Sequence, residues 1–155
     1  MLAALAGALV TLLILPPAEY LAHRLVMHHP TPIGMGVFEE HHVEHHRRGR
    51  NDVNIDLPAW LMAIYASPLA LALLAIGWPA SVACLAVVSL YGILWTGLHR
   101  SFHGVGGRWA ERLPFHDRLK RHHMAHHRWL GRNFGTVFGW LLDAPLGTWT
   151  RADHP

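Results

Sequence analysis

Long apolar stretches dominate the pattern of hydrophobic and polar positions. The first runs from the N-terminus through Leu15 and continues past a Pro-Pro pair. From Leu57 to His99, 43 consecutive residues include no Asp, Glu, Lys or Arg, about twice the roughly 20 residues that cross a bilayer core. Gly-Trp-Pro-Ala at 77–80 divides this second stretch with turn-forming residues. The pattern predicts an all-α integral membrane protein with three spans, at about residues 2–22, 58–76 and 80–99.

Composition and charge support this class and set an orientation. Hydrophobic residues make up 52% of the 155 residues and charged residues 15%, a balance typical of membrane proteins. None of the 13 Lys and Arg precedes residue 16 or lies in the 77–80 turn. Basic loops stay in the cytoplasm, so segments 28–56 and 100–155 are predicted to be cytoplasmic. This explains the net charge of +3 without a nucleic-acid partner.

Two further observations limit the class of protein. Residues 1–155 are predicted to form a single domain, as the length suggests. The one cysteine, Cys84, excludes a disulfide within the chain and a cysteine-based zinc site. A signal peptide is the alternative for the first apolar stretch, but that stretch lacks the positively charged start such peptides carry.

Histidine is the most unusual component of the sequence. Thirteen of the 15 histidines form four groups, and the predicted topology brings all four to the same membrane face. The groups are His23, His28 and His29; His41, His42, His45 and His46; His99 and His103; and His122, His123, His126 and His127. We expect His29, His116 and His154 to be interfacial or surface residues.

The spacing within these groups predicts metal ligands. Residues at i, i+3 and i+4 share one face of a helix, and converging imidazoles bind Zn, Cu, Fe or Ni. His23 and His28 are five apart, so on a regular helix they diverge by about 140° and converge only across a distortion, at a helix end or on two ions. Ten imidazoles suit two ions. The predicted ligands are His23, His28, His42, His45, His46, His99, His103, His123, His126 and His127, with His41 and His122 as open alternatives to His42 and His123.

Two other functions share parts of this pattern. The letters from His41 to His45 match the HxxEH signature of a zinc peptidase, but that enzyme would leave the other groups idle. A non-catalytic histidine-rich metal-binding or metal-transport protein is the main alternative. Transport sites usually place ionisable groups near the middle of the spans, and here only the first span has one, Glu19 near its end.

The four histidine groups resemble those of the fatty acid hydroxylase and sterol desaturase superfamily. The chain carries HRLVMH at 23–28, HVEHH at 42–46, HRSFH at 99–103 and HMAHH at 123–127, which is similar to the family's ordered histidine boxes. The tail at 132–149, with its NFG, Asp and GT, also resembles the family ending. The resemblance covers residues 19–149. The short chain and EYLAHRLVMHH resemble the carotenoid hydroxylase branch, whereas the third box and the tail fit the fatty acid and sterol branch.

The resemblance implies a membrane oxygenase. The family holds two irons on histidines, with zinc as a substitute, and uses O2 to hydroxylate or desaturate a fatty acyl, sterol or carotenoid lipid. We expect an external electron donor, such as a ferredoxin or a haem protein with its reductase. The protein would be integral to a bacterial inner membrane, with its metal site on the cytoplasmic face.

In such a site, carboxylates and carbonyls next to the ligands would orient them. A basic surface would bind an acidic electron donor or anionic lipid headgroups. Candidates for orienting the ligands are Glu19, Glu40, Glu44, Asp52, Asn133 and Asp143. Trp140 and Trp149 are expected to anchor the tail at the membrane interface. The basic surface would comprise Arg118, Lys120, Arg121, Arg128 and Arg132.

Overall fold

The computed structural model describes residues 1–32, 34–52, 56–57 and 59–151. Every regular element within these ranges is helical, which confirms the predicted all-α class. His154 and the expected start of the middle span at residue 58 lie outside the described residues. The α-helices are α1 (Leu2–Leu21), α2 (Met35–Phe38), α3 (Ala59–Leu73), α4 (Trp78–Phe102), α5 (His116–Arg128) and α6 (Trp140–Asp143).

Two π-helices and one short 3₁₀ turn complete the order. A π-helix at Ala22–Met27 follows α1 directly, and a second one at Glu39–Arg47 follows α2 directly. A 3₁₀ turn at Ala110–Arg112 precedes α5. The chain divides into two compact units, the first made of Met1–Leu15 with Leu57–Thr96 and the second of Pro16–Asp56 with Gly97–Pro155.

The first unit is an apolar helix assembly. Gly7 brings two helix backbones together, because a Cβ there would lie 2.3 Å from the carbonyl oxygen of Ala80. The hydroxyl of Ser81 donates to the Ala70 carbonyl at 2.7 Å, which satisfies a polar group inside an apolar region. Many large apolar side chains face outward, including Leu13 (76% exposed) and Leu71 (66% exposed). Such a surface suits a lipid environment.

The prediction of three membrane spans is wrong for the middle one. Two helical stretches of the described chain are long and apolar enough to cross a bilayer, Leu2–Met27 with 26 residues and Trp78–Phe102 with 25. Helix α3 has 15 residues, or about 22 Å at 1.5 Å per residue, against a core of about 30 Å. After Leu73 the chain closes in short turns, in which Leu74 N–H bonds to Leu71. Hydropathy detects apolar character but not where the helix ends.

The second unit contains every described histidine. Helix α4 enters it with its last turn, which carries His99, and α5 supplies four more histidines and His116. Between them, the Trp109 ring packs on Gly97, where a Cβ would lie 2.1 Å from the ring. The unit also contains both π-helices. It thus gathers the described histidines from four separate stretches of helix or helix end.

Candidate metal centre

The first π-helix brings His23 and His28 together. Five residues apart, they would diverge on an α-helix, but a π-helix hydrogen-bonds i to i+5, so residues five apart return to the same side. Ala22–Met27 adopts this geometry and His28 caps it. The Nε2 atoms of the two rings lie 3.3 Å apart. The sequence left three ways for His23 and His28 to approach each other: a helix distortion, a helix end or two separate ions. In the structure they approach across a local distortion of the helix.

The second π-helix repeats this arrangement with His41 and His46. These residues are also five apart, and their Nε2 atoms lie 3.0 Å apart. His41 Nε2 is 2.9 Å from His23 Nε2, and His126 Nε2, from α5, is 3.0 Å from His28 Nε2. Together they form the first cluster, whose five ligand atoms lie within 4.8 Å of one another: His23, His28, His41, His46 and His126.

Regular helical spacing builds a second cluster. His99 and His103 are four apart at the end of α4, as are His123 and His127 on α5. The Nε2 of His123 lies 3.0 Å from those of His103 and His127. His45, from the second π-helix, completes the group. The second cluster is therefore His45, His99, His103, His123 and His127, again with ligand atoms within 4.8 Å of one another.

Nine of the ten predicted ligands thus lie in the two clusters, and His42 does not. Sequence spacing favoured His42 because it assumed an α-helix, in which His42, His45 and His46 share a face. The π-helix instead pairs His41 with His46. His42 lies beside the first cluster, with its Nδ1 2.9 Å from Nδ1 of His28 and its ring stacked on Phe38 at 5.1 Å.

On α5, where His122 was the alternative to His123, the structure keeps the residue that the sequence favoured. His123 lies in the second cluster, whereas the Nε2 of His122 lies 2.9 Å from a carboxylate oxygen of Asp143. His29 is exposed, as expected. The prediction that His116 is an interfacial or surface residue is wrong, because this residue is 6% exposed. It begins α5, and its Nε2 lies 3.0 Å from the hydroxyl oxygen of Ser101 in α4.

Backbone carbonyls fix the tautomers of three cluster histidines. The Nδ1–H of His23 donates to Phe134, that of His126 to Arg132 at 2.6 Å, and that of His45 to Arg50 at 3.2 Å. A carbonyl can only accept, so Nδ1 carries the proton and Nε2 of the neutral ring presents a lone pair. The buried Nε2 of His45 has no hydrogen-bond partner among the described residues. Buried lone pairs that converge in this way fit a bound cation.

Burial keeps the imidazoles in the form that binds metal. Loss of solvation, reinforced by neighbouring histidines, lowers the pKa of His41, His123 and His126 well below the usual range. Burial followed by the field of His103 and His45 lowers the pKa of His127 to about 2. Neutral imidazole is the metal-binding state, so ten neutral donors stand in two sets of five.

A tight turn in the tail positions the carbonyl that orients His23. Asn133 adopts a left-handed conformation, with φ of 52°, and its side chain bonds Thr150 in both directions, at 2.7 and 2.9 Å. The fully buried Asp143 accepts the N–H of Phe134 at 2.8 Å and of Gly135 at 3.0 Å. The NFG and Asp of the tail therefore form one hydrogen-bonded turn, and this turn places the Phe134 carbonyl next to His23.

Glu19 fastens the next four residues of the tail. Its carboxylate accepts four consecutive backbone N–H groups, two on each oxygen, at 2.5–2.8 Å, from residues 136–139. Glu19 lies four residues before His23, so the segment that supplies a ligand also holds the turn that orients it. Such charge-assisted bonds are stronger than neutral ones.

Of the remaining acidic candidates, Glu40 and Asp52 are exposed and Glu44 is half-buried. Glu44 pairs with Arg48 and Arg50, and Asp52 with Arg50. Arg50, which pairs with Glu44 and Asp52, contacts the second cluster through its carbonyl, which accepts a hydrogen bond from His45. Sequence reasoning missed the carbonyls of Arg50, Arg132 and Phe134, because any residue can supply one; for Phe134 the NFG motif was the available signal.

Comparisons with known proteins identify the family of the chain. No curated protein and no solved structure matches the chain. The family model described as fatty acid hydroxylase matches residues 8–148, a range that contains both histidine clusters, Glu19 and the turn built on Asp143. The chain therefore belongs to the fatty acid hydroxylase family.

Proposed function

We propose that this protein is a membrane-bound oxygenase that hydroxylates a C–H bond of a lipid, with two iron ions held by the two histidine clusters. The observation that carries the proposal is the geometry of the clusters: two sets of five imidazoles, seven of the ten buried and three half-buried, with the ligand atoms of each set within 4.8 Å of one another. Family membership supports a hydroxylase or desaturase reaction. The lipid is a fatty acyl chain, a sterol or a carotenoid.

The donor set fits a transition metal. Imidazole suits Fe, Zn, Cu and Ni, whereas Mg and Ca prefer oxygen ligands. We assign His23, His28, His41, His46 and His126 to one ion and His45, His99, His103, His123 and His127 to the other. We place His42 outside the ligand set, as the residue that orients His28 through Nδ1. Zinc would fit the same donors, so metal identity needs its own measurement.

Bound iron would supply the activation of O2, one atom of which enters the lipid while the other leaves as water with two electrons and two protons. The chain contributes orientation and a dry surrounding. Carbonyls of Phe134, Arg132 and Arg50 hold three rings with Nε2 toward the ions, which strengthens the ligands and fixes their direction. His41, His45, His99 and His126 are fully buried, which excludes bulk water from the reacting region.

The electron donor and the membrane side of the metal centre are the remaining parts of the proposal. A ferredoxin, or a haem protein with its reductase, would deliver the electrons. The basic residues of segments 28–56 and 100–155 favour the cytoplasmic side, so we propose that the metal centre faces the cytoplasm of a bacterial inner membrane. The first apolar stretch would then begin outside.

Lipid profiling of cells with and without the intact protein tests this function. A lipid that gains one oxygen atom, only with O2 and only with the intact protein, is the expected result, and it names the substrate. His126→Ala removes a donor from the first cluster and His123→Ala one from the second, and each should abolish the product. His29→Ala, an exposed histidine outside both clusters, is the matched control.

Metal analysis separates the proposal from its main alternative. Purified protein should carry close to two ions per chain. One ion per chain contradicts the two-cluster assignment. Two ions with no oxygen-dependent change in any lipid class would instead favour a non-catalytic metal-binding or transport protein.

A further inference from the structure

A cleft outside both histidine clusters is lined by cationic and aromatic side chains. Its volume is about 350 Å³, within the roughly 300–1,000 Å³ of small-molecule sites. Three of the lining residues are arginines and none is Asp or Glu. We call it the arginine cleft, and its lining is Arg118, Leu119, Arg121, His122, Trp140, Trp149, Thr150 and Arg151.

Stacking, rather than ion pairing, holds two of these arginines. The guanidinium carbon of Arg118 lies 4.5 Å from the ring centroid of Trp140, and that of Arg151 lies 5.7 Å from that of Trp149. Within the part of the chain that the structure describes, Arg118, Arg121 and Arg151 form no ion pair with a carboxylate. A guanidinium that stacks by its face keeps its N–H donors in the plane of the group. The cleft therefore offers several donors and three guanidinium charges that form no ion pair with an acidic side chain of the described residues.

We propose that the arginine cleft binds the phosphate of an anionic phospholipid headgroup. The forked donors of arginine match phosphate oxygens, and a small concave site suits a headgroup better than the broad surface of a protein. The neighbouring residues favour a lipid over free phosphate: Trp149 is 45% exposed, and Leu141 and Leu146, which follow Trp140, are 53% and 51% exposed. Tryptophan and exposed leucine beside arginine are typical of a surface at headgroup level.

The cleft is also linked to the turn beside the first cluster. His122 lines it, and its Nε2 lies 2.9 Å from Asp143. Asn133 donates from its side chain to the His122 carbonyl at 3.2 Å. Asp143 and Asn133 build the turn that presents the Phe134 carbonyl to His23. A headgroup in the cleft would thus stabilise this turn, so anionic lipid should raise the thermal stability of the protein whether or not it turns over.

The basic surface that the sequence suggested is divided by this geometry. Arg118 and Arg121 line the cleft, whereas Lys120, Arg128 and Arg132 do not. The guanidinium of Arg132 is engaged with the Gly147 carbonyl. Arg151, which the sequence did not single out, is the third cation of the site.

Lipid retention in the full-length protein tests the proposal. The protein is placed in nanodiscs that contain equal amounts of phosphatidylcholine and phosphatidylglycerol, released into mild detergent, and examined by native mass spectrometry for bound lipid. We expect retained phosphatidylglycerol over phosphatidylcholine. Arg118→Gln with Arg121→Gln should lower that preference by roughly 25-fold, since each basic side chain near anionic headgroups contributes about fivefold. Arg151→Gln alone should lower it by a smaller factor and leaves α5 unchanged.

Charge-matched and ligand-matched controls make the result decisive. Arg108→Gln with Arg112→Gln removes two exposed arginines that do not line the cleft; an equal loss of preference in this variant overturns the proposal, because it reports general surface charge. No preference in the parent protein also overturns it. Inorganic phosphate that displaces phosphatidylglycerol and raises the melting temperature equally would assign the cleft to free phosphate. Binding of an acidic redox protein that needs Arg118 and Arg121, without lipid preference, would assign it to a protein partner.

Discussion

Replacing His41 and His42 with alanine, one at a time, tests the ligand set at the position where sequence and structure differ. His41 Nε2 lies 2.9 Å from His23 Nε2 and 3.0 Å from His46 Nε2, inside the first cluster. Among the described residues, the contact of His42 with that cluster is with His28, through the Nδ1 atoms of the two rings. The two substitutions remove the same side chain from neighbouring positions, but only His41→Ala removes a donor of the first cluster, whereas His42→Ala removes the ring stacked on Phe38.

The expected sizes follow from these contacts. Structural metal sites with four ligands bind with about 10–16 kcal/mol, or roughly 2.5–4 kcal/mol for each ligand. Loss of His41 should therefore weaken the ion of the first cluster by about 10²–10³-fold. Loss of a residue that only orients a ligand costs about 10–100-fold in affinity or activity, so His42→Ala should retain both ions after desalting and lose one only under a competing chelator.

Metal content per chain, measured by inductively coupled plasma mass spectrometry before and after graded chelator, is the assay. His41→Ala should hold close to one ion and His42→Ala close to two, with His29→Ala as the exposed control. If His42→Ala loses an ion on desalting while His41→Ala keeps both, then the second segment is an ordinary α-helix in the native protein, and the π-helical argument is refuted.

Three further predictions concern the tail and the metal. In Glu19→Gln, an amide N–H₂ faces two of the four backbone N–H groups from which the carboxylate accepts hydrogen bonds. The free energy of unfolding should therefore fall by about 3–6 kcal/mol. Glu44→Gln is the control, because Glu44 pairs with exposed arginines, and it should cost less than about 1 kcal/mol. Gly135→Ala places a Cβ 1.8 Å from the backbone nitrogen of Trp140. A denaturant titration should show that the folded protein loses at least about 2 kcal/mol of stability. Gly131→Ala, whose Cβ would have nothing within 4 Å, should leave the stability unchanged, and equal effects of the two substitutions would contradict the packing. Chelation of metal from the parent protein should lower its melting temperature, because a ligand that binds only the folded state stabilises by RT ln(1 + [L]/Kd), and an unchanged temperature would argue against buried metal.

The sequence determined the class, the family and most of the candidate donors. Hydropathy and charge need no tertiary information, because apolar runs and basic loops report their solvent directly; they gave the all-α membrane class and two of the three spans. Histidine spacing on α-helices is equally local, and the i, i+4 pairs His99–His103 and His123–His127 both lie in the second cluster. The expected grouping of His126 with His123 and His127 is not found, because His126 lies in the first cluster.

Only the tertiary structure decided which donors meet. The choice of His41 over His42 depends on a π-helix, and nothing in the letters distinguishes a helix with i+5 hydrogen bonds from one with i+4 bonds. The division of neighbours between the clusters, with His45 in one and His46 in the other, is likewise a matter of three-dimensional convergence. The carbonyls that fix the imidazole tautomers belong to residues of any type, and the Glu19 contact joins positions 117–120 residues apart. Composition and period describe one element at a time, whereas a metal site is set by how several elements meet.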